Sequence, residues 1–135
     1  MSTQEINPDL TFADFGFAEP ITRAITEQGY IKPTPIQAQS MPHVLQGADV
    51  MGAAQTGTGK TAAFVLPILQ NILPFASNSA SPARHPIRAL VLTPTRELAD
   101  QVADNAFKYA KHTDIRTAVV FGGVDMSSQT AQLRS

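Results

Sequence analysis

The chain has no cysteine, which excludes a disulfide framework and any thiolate metal site. Its three histidines, His43, His85 and His112, are too scattered for metal-ligand spacing, so a structural metal is not expected. Charge of neither sign prevails: 10 Lys plus Arg stand against 11 Asp plus Glu. That balance excludes a globally basic or acidic surface, and any basic site must be local. The N-terminus has no cationic stretch followed by an apolar run, and no segment approaches the roughly 18 apolar residues of a spanning helix. The expectation is a soluble, cytoplasmic chain. No internal repeat is present. What remains is 135 residues with 43% apolar content, enough for one core in one folded unit or a piece of one.

Helix signals come first along the chain. Ile21, Ala24, Ile25 and Gln28 follow helical spacing, Pro20 suits a first turn and Gly29 a left-handed stop, which predicts a helix over 19–28. Thr34-Pro35 is an N-cap followed by proline at the first helical position. Pro42 is expected to separate that short helix from another ending near Gly47. Asp49 to Ala54 reads as a buried strand, followed by a helix from Gly59 to about Leu73 that Pro67 should kink or interrupt. Residues 74–86 mix proline with small polar residues and read as a surface loop. Ile87–Thr93 and Arg116–Phe121 are apolar, partly β-branched runs on either side of a helical pattern from Leu98 to Ala110. Strand, helix, strand, helix, strand predicts an α/β domain: a parallel sheet flanked by helices, with ligands at the carboxyl ends of the strands.

The segment Ala54-Gln55-Thr56-Gly57-Thr58-Gly59-Lys60-Thr61 carries the clearest chemistry. Holding a triphosphate requires backbone amides that converge on anionic oxygens, hence glycines free to take unusual angles, and a helix N-terminus aimed at the charge. Gly57 and Gly59 meet the first need and the following helix the second. Lys60 would place a cation on the β and γ phosphates, and Thr61 a hydroxyl on the Mg2+ that accompanies ATP. The general pattern has glycine where this chain has Ala54. Against this stands a plain glycine-rich turn with an incidental lysine.

Gln37 admits two readings. Thr34-Pro35-Ile36-Gln37 is a capping box in which the glutamine bonds back to the N-cap amide. A glutamine amide also matches one edge of adenine bidentately, whereas guanine presents the wrong pattern. Tyr30 is placed to stack on a base with Phe12 closing the far side, although lone aromatics beside a helix are more often core. Pro94-Thr95-Arg96-Glu97, after a strand and opening a helix, offers free amides, a hydroxyl and a charge to a phosphate, or is an ordinary N-cap.

Taken in order, Phe12, the run Gly29-Tyr30-Ile31-Lys32-Pro33-Thr34-Pro35-Ile36-Gln37, the phosphate loop, Pro94-Thr95-Arg96-Glu97-Leu98-Ala99 and Gly122-Gly123 resemble the N-terminal motifs of DEAD-box RNA helicases. Alanine at the first phosphate-loop position is usual there, so Ala54 fits the resemblance. The resemblance implies a RecA-like P-loop NTPase fold, divided as residues 1–47, an adenine-recognition (Q motif) segment, and 48–135, a partial ATP-binding domain. It implies nucleotide contacts from Phe12, Tyr30, Lys32, Gln37 and residues 54–61, and catalytic parts for Lys60 and Thr61. Single-stranded RNA would be held by Pro94, Thr95, Arg96, Glu97, Gly122 and Gly123, through sugar and phosphate rather than base identity.

After Gly123 no Asp-Glu-Ala-Asp element, Ser-Ala-Thr element or second α/β domain follows. The expectation is therefore an incomplete first domain of a two-domain helicase core, whose partners are RNA and the rest of that core. Hydrolysis by this stretch alone should be negligible. Missing strands should leave an exposed edge or an unfilled core face, with marginal stability or association. The alternatives are a nucleotide-binding module without turnover and, more weakly, a P-loop kinase of a small metabolite. Glu27-Gln28-Gly29-Tyr30 and Phe121-Gly122-Gly123-Val124 resemble the bacterial RhlE-like subgroup.

Overall fold

The computed structural model describes residues 7–55, 57, 59–77, 86–122 and 126–134. The expected loop over 74–86 falls largely outside them. Among the described residues the regular elements are a 3-10 turn at Phe12–Phe15 and five helices: α1 Glu19–Glu27, α2 Pro35–Leu45, α3 Lys60–Ile72, α4 Arg96–Tyr109 and α5 Met126–Arg134. A second 3-10 turn, Leu73–Phe75, extends the end of α3.

The helix ends follow local chemistry. α1 and α2 stop in the same way, on Gly29 (φ 76°) and Gly47 (φ 81°). In each case the glycine N–H bonds back three residues and the next N–H bonds back five: Gly29 to Thr26 and Tyr30 to Ile25, Gly47 to Val44 and Ala48 to His43. This arrangement satisfies the last carbonyls and needs a left-handed residue that only glycine supplies without strain. α4 starts on Thr95, whose hydroxyl accepts from the Leu98 N–H at 3.1 Å.

Two prolines expected to break helices do not. α2 runs unbroken through Pro42, and α3 through Pro67. An interior proline forfeits one backbone bond and crowds the preceding turn, costing about 3 kcal/mol or more. The compensation is tertiary. Met41 and Leu66, the residues just before the two prolines, are fully excluded from solvent, and Pro67 is itself buried.

α3 is the central helix, packed along α2 and against α4 and α1. Its side chains also close other elements' polar ends. Gln70 Oε1 accepts from the Ala18 N–H at the start of α1 at 2.7 Å, and Asn71 Nδ2 donates to the Val44 carbonyl near the end of α2 at 3.1 Å. One core results, in which Phe12, Phe17, Ile21, Ile25 and Met41 join Val65, Leu66 and Leu69 of α3 and Val102 and Tyr109 of α4. The segment before residue 48 and the one after it therefore share a hydrophobic centre.

The three expected strands are a correction. Asp49–Ala54, Ile87–Thr93 and Arg116–Phe121 form no strand ladder among the described residues. Their apolar side chains lie open: Met51 is fully exposed, Leu92 84% and Leu90 74%. A helix closes its hydrogen bonds within itself, whereas a strand needs a neighbour in register. Between the 87–93 and 116–121 runs and the helices lies a cavity of about 810 Å3, lined by Val65, Leu69, Val102 and Ala106 on the helical side and Leu90 and Val119 opposite. The helical layer is packed, and its face toward the expected sheet is not filled.

Candidate nucleotide and RNA site

The phosphate loop reaches α3 through Gly57 (φ 83°) and Gly59 (φ 84°), the latter being the helix's N-cap. Lys60 and Thr61 open the helix, Lys60 exposed and Thr61 half-buried. The first amides of a helix have no intrahelical acceptor, and the helix dipole adds partial positive charge there. The first backbone bond of this turn is Ala63 N–H to the Gly59 carbonyl at 3.2 Å. The loop thus presents amides and an ammonium at one place. Ala54 is half-buried and Gln55 exposed at its entrance, while Thr56 and Thr58 lie outside the described residues.

Gln37 is buried and spans two elements. Its Oε1 accepts from the Thr34 N–H at 2.9 Å, and its Nε2 donates to the Gly59 carbonyl at 3.1 Å. The capping interaction is therefore real, and the same amide also pins the phosphate loop. A Cβ at Gly59 would collide with the Gln37 amide and crowd the Thr34 hydroxyl. Glycine is thus required there twice, for its angles and for this close approach. Among the described residues, Thr34 Oγ1 is buried with no hydrogen-bond partner of strict geometry, though it faces the N3 amide of its own helix, and it lies close to Gly59. Nothing in the sequence singled out that hydroxyl, because a capping threonine normally spends it on its own helix.

Phe12 is buried and stacks on Tyr30, with centroids 5.9 Å apart and planes at 28°. Phe12 N–H donates to the Ile31 carbonyl at 3.0 Å, which fixes the two segments together. Tyr30 remains 38% exposed. Its hydroxyl lies 3.3 Å from that of Tyr109, in the last turn of α4. Tyr109 is 2% exposed, and burial, helped by the Tyr30 hydroxyl, pushes its phenol well above the usual tyrosine range. Sequence reasoning missed Tyr109, since at helical spacing from Val102 and Ala106 it reads as core. Lys32 is exposed and donates to the Pro8 carbonyl at 3.4 Å, away from the phosphate loop's bonds.

The candidate RNA residues gather at a second place. Pro94, Thr95, Arg96 and Glu97 are exposed around the start of α4. Arg96 Nη2 donates to the Gly122 carbonyl at 3.1 Å, and its guanidinium lies over the Phe121 ring, 5.1 Å from the centroid. The Phe121 N–H is in turn held by the buried Gln129 of α5. The two elements, some 25 residues apart in sequence, are therefore one structural unit. Thr95 uses its hydroxyl as the N-cap, which realises the ordinary reading of that residue. Gly123 lies outside the described residues.

The donor set fits a nucleotide with Mg2+. No group of three or more His, Cys, Asp or Glu able to hold a metal occurs among the described residues. Mg2+ bound mainly through phosphate oxygens and one hydroxyl, the Thr61 type of ligand, does not need such a group.

Comparison with known proteins decides the family. The sequence pattern of the DEAD/DEAH box helicase family matches residues 34–135, well over half of the chain. The chain belongs to the DEAD/DEAH box helicases. Among curated DEAD/DEAH box proteins, it is 48% identical over 119 residues to the DEAD-box ATP-dependent RNA helicase RhpA of Helicobacter pylori, covering 88% of this chain and 22% of that protein. It is 47% identical over 114 residues to the ATP-dependent RNA helicase SrmB of Escherichia coli, covering 84% and 25%. The crystal structure of the RNA-helicase Prp28 from Chaetomium thermophilum bound to ADP superposes with a TM-score of 0.77 at 36% identity, over 95% of this chain and 30% of that one. A hypothetical ATP-dependent RNA helicase from Sulfolobus tokodaii gives 0.72 at 36% identity, over 87% and 31%. The fold is thus the RecA-like α/β fold of the DEAD-box helicases, and the chain spans about a quarter of the length of these relatives. No helix among the described residues is long and apolar enough to cross a membrane.

Proposed function

We propose that this chain is the ATP-binding part of a cytoplasmic, ATP-dependent RNA helicase, in which nucleotide and single-stranded RNA are held on two neighbouring faces. The observation that carries the reading is the buried Gln37 amide, bonded at once to the Thr34 N–H and to the carbonyl of Gly59 in the phosphate loop. A group that reads adenine and simultaneously positions the triphosphate loop would make loop geometry depend on which base is bound. Phe12 and Tyr30 supply the aromatic wall, Lys32 and Gln55 the flank, and Lys60 and Thr61 the phosphate and Mg2+ contacts. Residues 1–47 serve as the adenine-recognition segment and 48–135 as the ATP-binding domain.

Arg96 and its neighbours, with Gly122 and Gly123, form the RNA edge; contacts there are to sugar and phosphate, so sequence preference is low. The chain by itself is read as holding nucleotide with negligible turnover, because the Asp-Glu-Ala-Asp element that the family uses to polarise the attacking water does not occur in its 135 residues. The remainder of a two-domain core supplies that chemistry. Glu27-Gln28-Gly29-Tyr30 and the Phe121-Gly122 turn support placement in the bacterial RhlE-like subgroup, linked to ribosome assembly or RNA decay.

The test has two arms. Calorimetry on this chain should show ATP bound in preference to GTP. The full-length protein should hydrolyse ATP faster when RNA is added, and Lys60→Ala should abolish that turnover. Turnover indifferent to RNA, or equal affinity for the two nucleotides, would refute the reading.

A further inference from the structure

The aromatic wall of the candidate site does not stand by itself. Tyr30 is stacked on one side by Phe12 and half open on the other, and its ring packs at 6.2 Å and 57° against that of Tyr109. The Tyr30 side chain pivots about two bonds, and Phe12 limits that motion on one face only. Its hydroxyl, at the far end from the backbone, is where a single contact has the most leverage on ring angle. That contact is the Tyr109 hydroxyl at 3.3 Å. Tyr109 is buried to 2% exposure and anchored in α4, whose Val102 belongs to the same core. Burial raises its phenol, so the group stays protonated and able to donate throughout the physiological range.

We propose that Tyr109 is a positioning residue for the nucleotide base: its buried hydroxyl holds the Tyr30 ring at the angle from which Tyr30 stacks on adenine. The inference rests on the reading of Tyr30 as the base-stacking residue. Tyr109 itself touches neither base nor phosphate. A ring free to rotate must be ordered on binding, whereas a ring already held pays less of that entropy, and the difference appears in affinity for the base-bearing ligand alone.

The experiment compares two ligands on this chain, ATP and inorganic tripolyphosphate, each with Mg2+ and each measured by displacement of a fluorescent ATP analogue. Tyr109→Phe keeps the ring and removes the hydroxyl. It should weaken ATP about three- to tenfold, the range of one lost hydrogen bond, and leave tripolyphosphate unchanged. Tyr30→Phe removes the same bond from the exposed side and should give the same loss, and the double variant should lose no more than either single one. Equal weakening of both ligands in Tyr109→Phe would show a merely structural role, and no weakening of ATP would show none; either overturns the proposal. Should Tyr109→Phe fail to fold, Tyr30→Phe decides by the same criterion. Tyr30→Ala separates the two levels: if it leaves the ATP to tripolyphosphate ratio untouched, the base-stacking reading itself fails, whereas a fall there without one in Tyr109→Phe overturns only the role of Tyr109.

Discussion

The helical layer around α3 and the three unladdered runs are both rich in apolar residues, yet only the helical layer is packed. α2 and α3 bury Met41, Leu66 and Leu69, close their ends with glycines and borrowed side chains, and even absorb Pro42 and Pro67. The runs over 49–54, 87–93 and 116–121 expose Met51, Leu92 and Val120, and the latter two leave a cavity against the helices. The difference lies in where backbone hydrogen bonds find partners. A helix needs no other segment, so an amphipathic helix can pack as soon as it forms; a strand is finished only by its neighbours. Apolar content by itself therefore does not predict which residues become core.

Three tests bear on that contrast, in falling order of effect, and the first pairs two substitutions. Leu66→Ala, in the packed layer, should destabilise by about 2–5 kcal/mol, whereas Leu92→Ala in the open run should change stability by less than about 0.5 kcal/mol. Urea unfolding followed by far-ultraviolet circular dichroism reads both, and similar losses at the two sites would mean that the open run is packed in solution. Gly59→Ala probes the seam between the layers, where the loop enters α3. A left-handed angle on a residue with a Cβ costs about 1–2 kcal/mol, and the collision with Gln37 adds to it. ATP affinity should fall more than stability does, and unchanged affinity would show that the Gln37 to Gly59 contact is not part of the nucleotide site.

The smallest effect belongs to the surface of the helical layer. Glu27 of α1 meets His112 at 2.8 Å, Lys111 at 3.5 Å and Arg23 at 3.9 Å. The His112 hydrogen bond, the largest influence, holds the Glu27 carboxyl below its ordinary value of 4.5; desolvation, the next largest, opposes it, and the charges of His112 and Lys111 add to the lowering. A carboxylate depressed in the folded state contributes stability that is present above the unfolded value near 4.5 and is lost as pH falls through the lower folded value. Glu27→Gln should flatten the acid limb of a melting-temperature profile below about pH 4.5 and leave the neutral plateau almost unmoved, as exposed pairs are weak. An unchanged acid limb would show that this cluster does not link α1 to the end of α4 in solution.

Much of the helical frame around the candidate site was legible in the residues themselves. Thr34-Pro35, Gly29, Gly47 and Thr95 mark helix ends because capping is decided within a few residues, and the glycines before Lys60 mark the left-handed turn of the candidate phosphate loop for the same local reason. That Gln37 caps its helix was legible, but its bond to Gly59 was not, since nothing within the capping box refers to a loop 22 residues away. Tyr109, 79 residues from Tyr30, carried no signal beyond helical spacing.

By itself, then, the sequence determined what short-range chemistry can decide: where helices start and stop, and which loop turns on glycine. Tertiary structure alone decided that two prolines would be tolerated inside helices, that Arg96 would reach Gly122, that Tyr109 would meet Tyr30, and that three apolar runs would stay without a ladder. Each of these depends on partners distant in the chain, whose packing either supplies or withholds the free energy that local pattern cannot specify.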